Sequence, residues 1–163
     1  PGYGGLHYKN DSGRNDIVAC KVAVGQDNVY FLAETREPLT PHTGNHWMLL
    51  LIDADQDHGT GWHGYDYLVN YKVVDETVTR LMRYDADAGD TPWTEVTQLP
   101  YRYAGKALEL AIPRQKLGLE GDAITFDFKW ADNPADLKDP ISLCVNGDTA
   151  PNRRFNYRCI WKQ

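Results

Sequence analysis

Alternation of apolar and polar residues with a period of two is the feature that most restricts how this chain can fold. In residues 123–130, Ile124, Phe126 and Phe128 alternate with polar residues, as expected for a strand with one buried face. No window of helical length has an apolar period of 3.6 residues, and turn-type residues interrupt the chain often. We therefore predict an all-β fold, an antiparallel β-sandwich of jelly-roll or immunoglobulin-like two-sheet architecture with at most one short helix.

A central segment, residues 45–71, combines a buried strand with an acidic loop. Residues 47–52 are continuously apolar, which is typical of a strand covered on both faces. Residues 53–61 are acidic and contain two glycines, and strand-like alternation returns in residues 62–71. The segment therefore predicts a hairpin that carries the acidic loop at its tip.

Turn and strand signals continue on both sides of this hairpin. Residues 1–15, rich in Gly, Asn and Asp, predict an irregular lead-in. We expect Pro100 to end a strand over residues 93–99, and Gly105 to turn a hairpin between residues 101–104 and 106–112. A short helical turn is predicted over residues 113–119, with Pro at its start and Gly at its end. Further strands are predicted over residues 16–24, 29–35, 72–83 and 152–161.

Length and charge limit the classes of protein to which the chain can belong. At 163 residues it is most simply a single domain, residues 1–163. The formal net charge of −6 and the lack of any basic run argue against a nucleic-acid partner. No apolar stretch reaches the roughly 18 residues of a membrane-spanning helix, so membrane insertion is not expected. Because the chain begins at Pro1 without a signal peptide, we expect it to be part of a longer protein or a mature form.

Three cysteines, Cys20, Cys144 and Cys159, lie far apart and form no CxxC motif. We expect buried free thiols that pack as small apolar residues. A bridge between Cys144 and Cys159 is the alternative, although an odd count does not suit a disulfide framework.

Four segments resemble, in the same order, the pattern of family 9 carbohydrate-binding modules and their DOMON-like relatives. They are Val-Tyr-Phe at residues 29–31, Leu-Leu-Ile-Asp-Ala-Asp with the following Thr-Gly and Tyr-Asp-Tyr in residues 50–67, Leu-Glu-Leu-Ala-Ile-Pro with Leu-Gly in residues 108–118, and Phe-Asp-Phe at residues 126–128. The resemblance covers roughly residues 16–130. It implies a β-sandwich that is appended to secreted glycoside-active enzymes, commonly binds calcium, and holds sugar rings between aromatic side chains.

Alternate aspartates in the central loop place several carboxylates around one point, as a hard cation requires. The pattern is not an EF-hand, because the sixth position from Asp53 is His58 rather than Gly. We expect a looser calcium site, and the alternative is a solvated acidic turn in which Asp caps its own backbone. A second acidic turn, residues 85–90, is a further candidate. The predicted metal ligands are Asp53, Asp55, Asp57 and Asp66.

Aromatic residues near this loop suggest a sugar platform, since flat rings pack against the C–H faces of sugars while polar groups take the hydroxyls. The alternative for each tryptophan is packing in the core. The predicted ligand-binding residues are Trp62, Tyr65, Trp93, Trp47, His63 and Arg80.

No catalytic constellation stands out, and we assign no catalytic residues. The sequence contains no HExxH, GxSxG or P-loop motif. We expect a non-catalytic carbohydrate-binding module of an exported polysaccharide-processing protein, secreted, periplasmic or at the cell surface, that acts beside a catalytic domain on an oligo- or polysaccharide. A structural domain that packs on its parent enzyme without binding sugar is the alternative, and it predicts that Trp62 and Trp93 are buried. A small glycan-active enzyme is the third hypothesis, and it requires two facing carboxylates in a cleft.

Overall fold

The computed structural model describes residues 10, 12–89 and 92–163 and confirms an all-β, antiparallel fold. Ten strands of the described residues form one continuous sheet in the order β1-β2-β7-β6-β5-β4-β3-β8-β10, with β9 paired to β8. The strands are β1 (Ile17–Val24), β2 (Asn28–Thr35), β3 (Leu49–Asp53), β4 (Tyr67–Val69), β5 (Val78–Tyr84), β6 (Trp93–Ala104), β7 (Ala107–Pro113), β8 (Ala123–Asp132), β9 (Asp148–Ala150) and β10 (Tyr157–Lys162).

Strand β6 connects the two halves of the sheet. Its residues 93–100 pair with β5, and its residues 101–104 pair with β7. The prediction that Pro100 ends this strand is wrong. Pro100 lies opposite Val78, where pairing with β5 stops, so its missing N–H falls at the change of partner. The backbone N–H of Tyr101 then donates to the carbonyl of Thr77.

The main core lies between strands from both halves of the sheet. Phe31 of β2 meets Phe126 and Phe128 of β8 edge-on, with ring centroids 6.0 and 5.4 Å apart. The sheet curls until β1 approaches β9, and the backbone N–H of Ile17 donates to Asp148 Oδ2 at 2.6 Å. One apolar interior therefore links strands that are distant in sequence.

Both faces of β3 are covered, as the apolar run predicts. Leu50 and Ile52 belong to the main core, whereas Leu49 and Leu51 belong to a second apolar cluster on the opposite face. The acidic loop that follows β3 lies beside this second cluster, because Trp62, which comes directly after that loop, is one of the cluster's members. The fold thus places a buried strand directly before the candidate metal ligands.

Several local predictions are confirmed and others are corrected. The β1–β2 and β6–β7 hairpins form, and a 3-10 turn occupies Arg114–Leu117 with Gly118 at φ +68° closing it. The predicted strand over residues 62–71 is wrong in extent, since only β4 is regular strand there. A short helix, α1 (Ser142–Val145), and β9 were not predicted. In the described residues no helix is long and apolar enough to cross a membrane.

The segment before β1 is attached to the core by a buried carboxylate. Asp132 accepts hydrogen bonds from Arg14 Nε at 2.7 Å, Asn15 Nδ2 at 3.0 Å and the backbone N–H of Met48 at 2.9 Å. Asp132 is fully buried, so the ion pair with Arg14 is desolvated at its acidic end. Most of the predicted irregular lead-in, residues 1–9 and 11, lies outside the described residues.

Two of the three cysteines are free thiols, Cys20 and Cys159. Burial, with a smaller contribution from the charge of Asp148, raises the pKa of Cys20 to about 12. Burial also raises the pKa of Cys159. The side chain of Cys144 lies outside the described part of the structure.

Candidate metal centre

The loop after β3 is shaped by aspartate side chains that accept hydrogen bonds from nearby backbone groups. Asp53 Oδ1 accepts from the N–H of Gln56 at 2.6 Å, and Asp55 Oδ1 accepts from the N–H of Asp57 at 2.8 Å. Thr60 Oγ1 donates to Asp55 at 3.0 Å. Asp and Asn stabilise turns in this way, which explains why this sequence folds back so tightly.

The return half of the loop depends on one glycine. Trp62 and Tyr65 exchange backbone hydrogen bonds of 2.8 and 3.1 Å across an isolated bridge. Gly61 has a φ of +61°, and a Cβ at this position would lie 2.3 Å from the carbonyl oxygen of Tyr65. Only glycine fits there, and the turn brings Asp66 back beside the end of β3, where its N–H donates to the carbonyl of Ile52.

This folding brings three of the four predicted metal ligands together. One carboxylate oxygen from each of Asp53, Asp55 and Asp66 lies within 4.8 Å of the others. Asp53 is buried, Asp66 is half-buried and Asp55 is exposed, so the group spans from the interior to solvent. Asp57 is not a member of this group, and its Oδ1 instead accepts from the N–H of Gly59 at 2.8 Å.

Asp53 carries a polar atom that the protein leaves without a partner. Its side chain is only 1% exposed, and its Oδ2 makes no hydrogen bond in the described structure. The pKa of Asp53 is raised to about 6, mainly by burial and to a smaller extent by the carboxylates of Asp66, Asp127 and Asp55, and the hydrogen bond from Gln56 opposes this rise. Burial likewise raises the pKa of Asp66. A buried carboxylate with an unsatisfied oxygen is unstable unless a proton or a cation joins it.

A guanidinium whose charge acts on Asp53 is already engaged by another acid. Arg158 of β10 binds Asp127 through two hydrogen bonds of 2.8 and 2.9 Å. Asp127 lies opposite Asp53 in the β3–β8 ladder, so Arg158 reduces the charge near Asp53 without bonding to it. Within the described residues, no lysine or arginine forms an ion pair with Asp53, Asp55 or Asp66.

The donor set suits a hard divalent cation. Ca²⁺ binds six to eight oxygens, from carboxylates, backbone carbonyls and water. Three carboxylates offer a charge of −3 and at least three oxygens, and the exposed side of the group leaves room for water. Asp53, Asp55 and Asp66 could therefore hold a calcium ion, which would offset the repulsion among three like charges and give the Asp53 carboxylate a partner that the described residues do not supply.

The aromatic residues predicted to bind sugar are largely buried beneath this loop. Trp62, Tyr65 and Trp93 are 6%, 7% and 5% exposed and belong to the second apolar cluster. Trp62 stacks on Tyr65 with ring centroids 6.3 Å apart, and Trp93 lies 6.4 Å from Trp62. Tyr65 Oη donates to Asn156 Oδ1 at 2.7 Å. In this arrangement the rings pack with one another and present almost no face to a ligand.

The other predicted ligand-binding residues lie apart from this layer. Trp47 belongs to the main core, is 1% exposed, and donates from Nε1 to the carbonyl of Thr40. Arg80 forms an ion pair of 2.8 Å with Glu95. His63 is exposed at the turn, with its ring edge-on to Trp62. The structure thus does not assemble the six residues into one platform.

Asp127 and Arg158 influence the centre electrostatically, and sequence reasoning missed both. They lie about 70 and 100 residues beyond Asp53, and only the pairing of β8 with β3 and β10 brings them close. Of the second acidic turn, Asp90 lies outside the described residues, while Asp85 Oδ1 accepts from the N–H of Asp87 as in an ordinary turn.

Comparison with protein-family models, with curated proteins and with solved structures finds no match for this chain.

Proposed function

We propose that this chain is a non-catalytic β-sandwich module that binds calcium through Asp53, Asp55 and Asp66 and holds a glycan for an exported polysaccharide-processing protein. The observation that carries the proposal is the carboxylate group itself, in which a buried Asp53 oxygen has no hydrogen-bond partner among the described residues. A cation supplies that partner and removes the repulsion among the three acids.

Calcium would act on the fold rather than in a reaction. The ion would join Asp53 at the end of β3 to Asp66 at the end of the loop, and the segment between them carries Trp62 and Tyr65. Loading would therefore fix the loop over the second apolar cluster. Stabilisation follows mass action, because the ion binds the folded state and not the dispersed carboxylates.

The glycan part of the proposal comes from the ordered resemblance to family 9 carbohydrate-binding modules. The two-layer sandwich belongs to the same proposal, and it is supported by the packing of β2 against β8 through Phe31 and Phe128. The proposed partners are an oligo- or polysaccharide and an adjacent catalytic domain of the parent protein.

Two measurements test this function separately. Isothermal titration of the metal-free chain with Ca²⁺ should show one binding event that is lost in Asp53→Asn and kept in Asp57→Asn, the matched control outside the group. Retention of the calcium-loaded chain on a broad array of oligo- and polysaccharides should then identify one glycan class. If the titration shows no heat of Ca²⁺ binding, the metal centre is refuted. If no glycan on the array retains the chain, the glycan function is refuted.

A structural domain that packs on a parent enzyme is a second candidate, and one observation favours it. Trp62 and Trp93 are buried, as that hypothesis predicts. It also predicts that the calcium-loaded chain is retained by no glycan, so the array distinguishes the two candidates.

A further inference from the structure

A shallow groove of about 780 Å³ lies on the outer face of β1, β2, β7 and β6, away from the acidic loop. This volume lies within the range of about 300 to 1,000 Å³ that is usual for small-molecule sites. Tyr30 of β2 lines the groove and is 47% exposed. Its partners across the ladders are Ala23 of β1 and Ala111 of β7, so small side chains flank the ring on both sides.

The conformation at the β1–β2 turn keeps the Tyr30 ring against the sheet. A Cβ built on Gly25 would lie 3.1 Å from Tyr30 Cε2, so the ring passes close over a residue without a side chain. No hydrogen bond is formed by the Tyr30 hydroxyl within the described residues. The result is an aromatic surface that no other part of the described chain covers fully.

Side chains of both charges lie on the same face of the sheet as Tyr30, in the next row across the strands. Glu109 of β7 lies between Leu32 of β2 and Arg102 of β6 in the ladders. Arg102 and Glu109 are both exposed and line the groove. Neither forms an ion pair or a hydrogen bond through its side chain in the described structure. Lys21, at the β1 side, pairs loosely with Glu34 at 3.6 Å.

We propose that this groove is the glycan-binding surface, with one sugar ring packed on Tyr30. The packed rings of Trp62, Tyr65 and Trp93 are not that surface. This inference rests on the proposed glycan-binding function and names its site and ligand class. An aromatic ring in the same groove as a donor, Arg102, and an acceptor, Glu109, neither of them bonded within the described residues, matches a ligand with C–H faces and hydroxyl groups. The charges of Arg102 and Glu109 balance, and so do those of Lys21 and Glu34 at the β1 edge, so the ligand is a neutral glycan rather than a uronic-acid or sulfated one.

The test uses the calcium-loaded chain and the neutral glycan that retains it best on the array. Tyr30→Ala should weaken the affinity by about tenfold or more, whereas Tyr30→Phe should keep most of it because the ring remains. Arg102→Ala should weaken binding by several-fold without loss of fold, since the Arg102 side chain is exposed and forms no hydrogen bond or ion pair with the described residues. Phe155→Ala is the matched control, because Phe155 is an aromatic residue 65% exposed outside the groove.

The outcomes separate this inference from the function on which it rests. If the parent chain is retained and Tyr30→Ala and Arg102→Ala bind equally well, the groove is not the site, while the glycan function stands. Retention only on acidic glycans overturns the neutral ligand class. If the parent chain is retained by no glycan, both the function and the groove assignment are refuted. The thermal unfolding midpoint of each variant, compared with that of the parent chain, distinguishes a loss of binding from a loss of folding.

Discussion

Replacement of Asp53 by Asn should change stability in opposite directions with and without calcium. In the metal-free protein, Asp53 is a buried carboxylate with one unpartnered oxygen and three acidic neighbours, Asp55, Asp66 and Asp127. Asn keeps the oxygen that accepts from the Gln56 N–H and removes the charge. The Asn amide nitrogen can also donate a hydrogen bond to a neighbouring carboxylate, whereas the charged Asp53 side chain repels those carboxylates.

The size of this change in the free energy of unfolding follows from the pKa of Asp53, which is about 6 in the folded chain and about 3.9 in an unfolded chain. The folded state thus keeps a proton that the unfolded state loses between about pH 4 and pH 6. The contribution of this group to stability is full below about pH 4 and is lost as the pH rises through 6. At pH 7 the buried charge costs at most about 3 kcal/mol, since one pKa unit corresponds to about 1.4 kcal/mol.

Urea unfolding in EDTA and in excess Ca²⁺ measures both effects. In EDTA at pH 7, Asp53→Asn should unfold with a free energy up to about 3 kcal/mol higher than the parent chain. The parent chain should gain about 2.7 kcal/mol when Ca²⁺ exceeds its dissociation constant a hundredfold, and the variant should gain much less. In EDTA the parent should also lose stability from pH 4 to pH 7, and the variant should lose less.

Asp57→Asn is the control, because Asp57 is exposed and outside the carboxylate group. It should respond to Ca²⁺ as the parent does. If Asp53→Asn is destabilised in EDTA and still gains fully from Ca²⁺, Asp53 is neither strained by its charge nor a ligand, and the reasoning is refuted.

Three further predictions concern other parts of the fold. Asp132→Ala should lower the free energy of unfolding by about 3 to 5 kcal/mol, because Arg14 and two other donors lose a buried partner; a loss below about 1 kcal/mol in urea unfolding would contradict this. Trp62→Ala should cost about 3 to 5 kcal/mol as a core truncation yet leave the glycan affinity of the folded fraction unchanged, and a specific loss of affinity would show that Trp62 is a ligand contact. Cys20, with its pKa raised to about 12, should be alkylated at pH 8 at least about tenfold more slowly than after unfolding, as followed by peptide mass spectrometry; equal rates would contradict its burial.

The strands were predictable where apolar and polar residues alternate, even in β8, whose polar residues Asp127 and Lys129 are buried as well. Residues 123–130 alternate cleanly, and β8 is a strand with Ile124, Phe126 and Phe128 in the core. The strand predicted around Trp62 was wrong in extent because its alternating residues fill a tight turn, and the turn depends on Gly61 rather than on strand pairing. The prediction that Pro100 ends a strand was wrong because Pro100 ends only the pairing with β5, and the strand continues by pairing with β7.

The candidate metal centre was partly visible in sequence, because Asp53, Asp55 and Asp66 lie within one loop. Burial of the aromatic layer was not visible, since a tryptophan at a loop edge has the same sequence signature whether it faces solvent or the sheet. The Tyr30 groove was not predicted either. Its residues come from four strands and share only their face of the sheet, which is a property of strand order.

Thermal unfolding of the unmodified chain, in EDTA, then in Ca²⁺, then in Ca²⁺ with a panel of oligosaccharides, tests the central claim most directly. We predict that Ca²⁺ raises the unfolding midpoint and that one class of neutral oligosaccharide raises it further, because each binds only the folded state. An unchanged midpoint in both additions would contradict a calcium-binding glycan module and would leave the acidic loop as an ordinary turn.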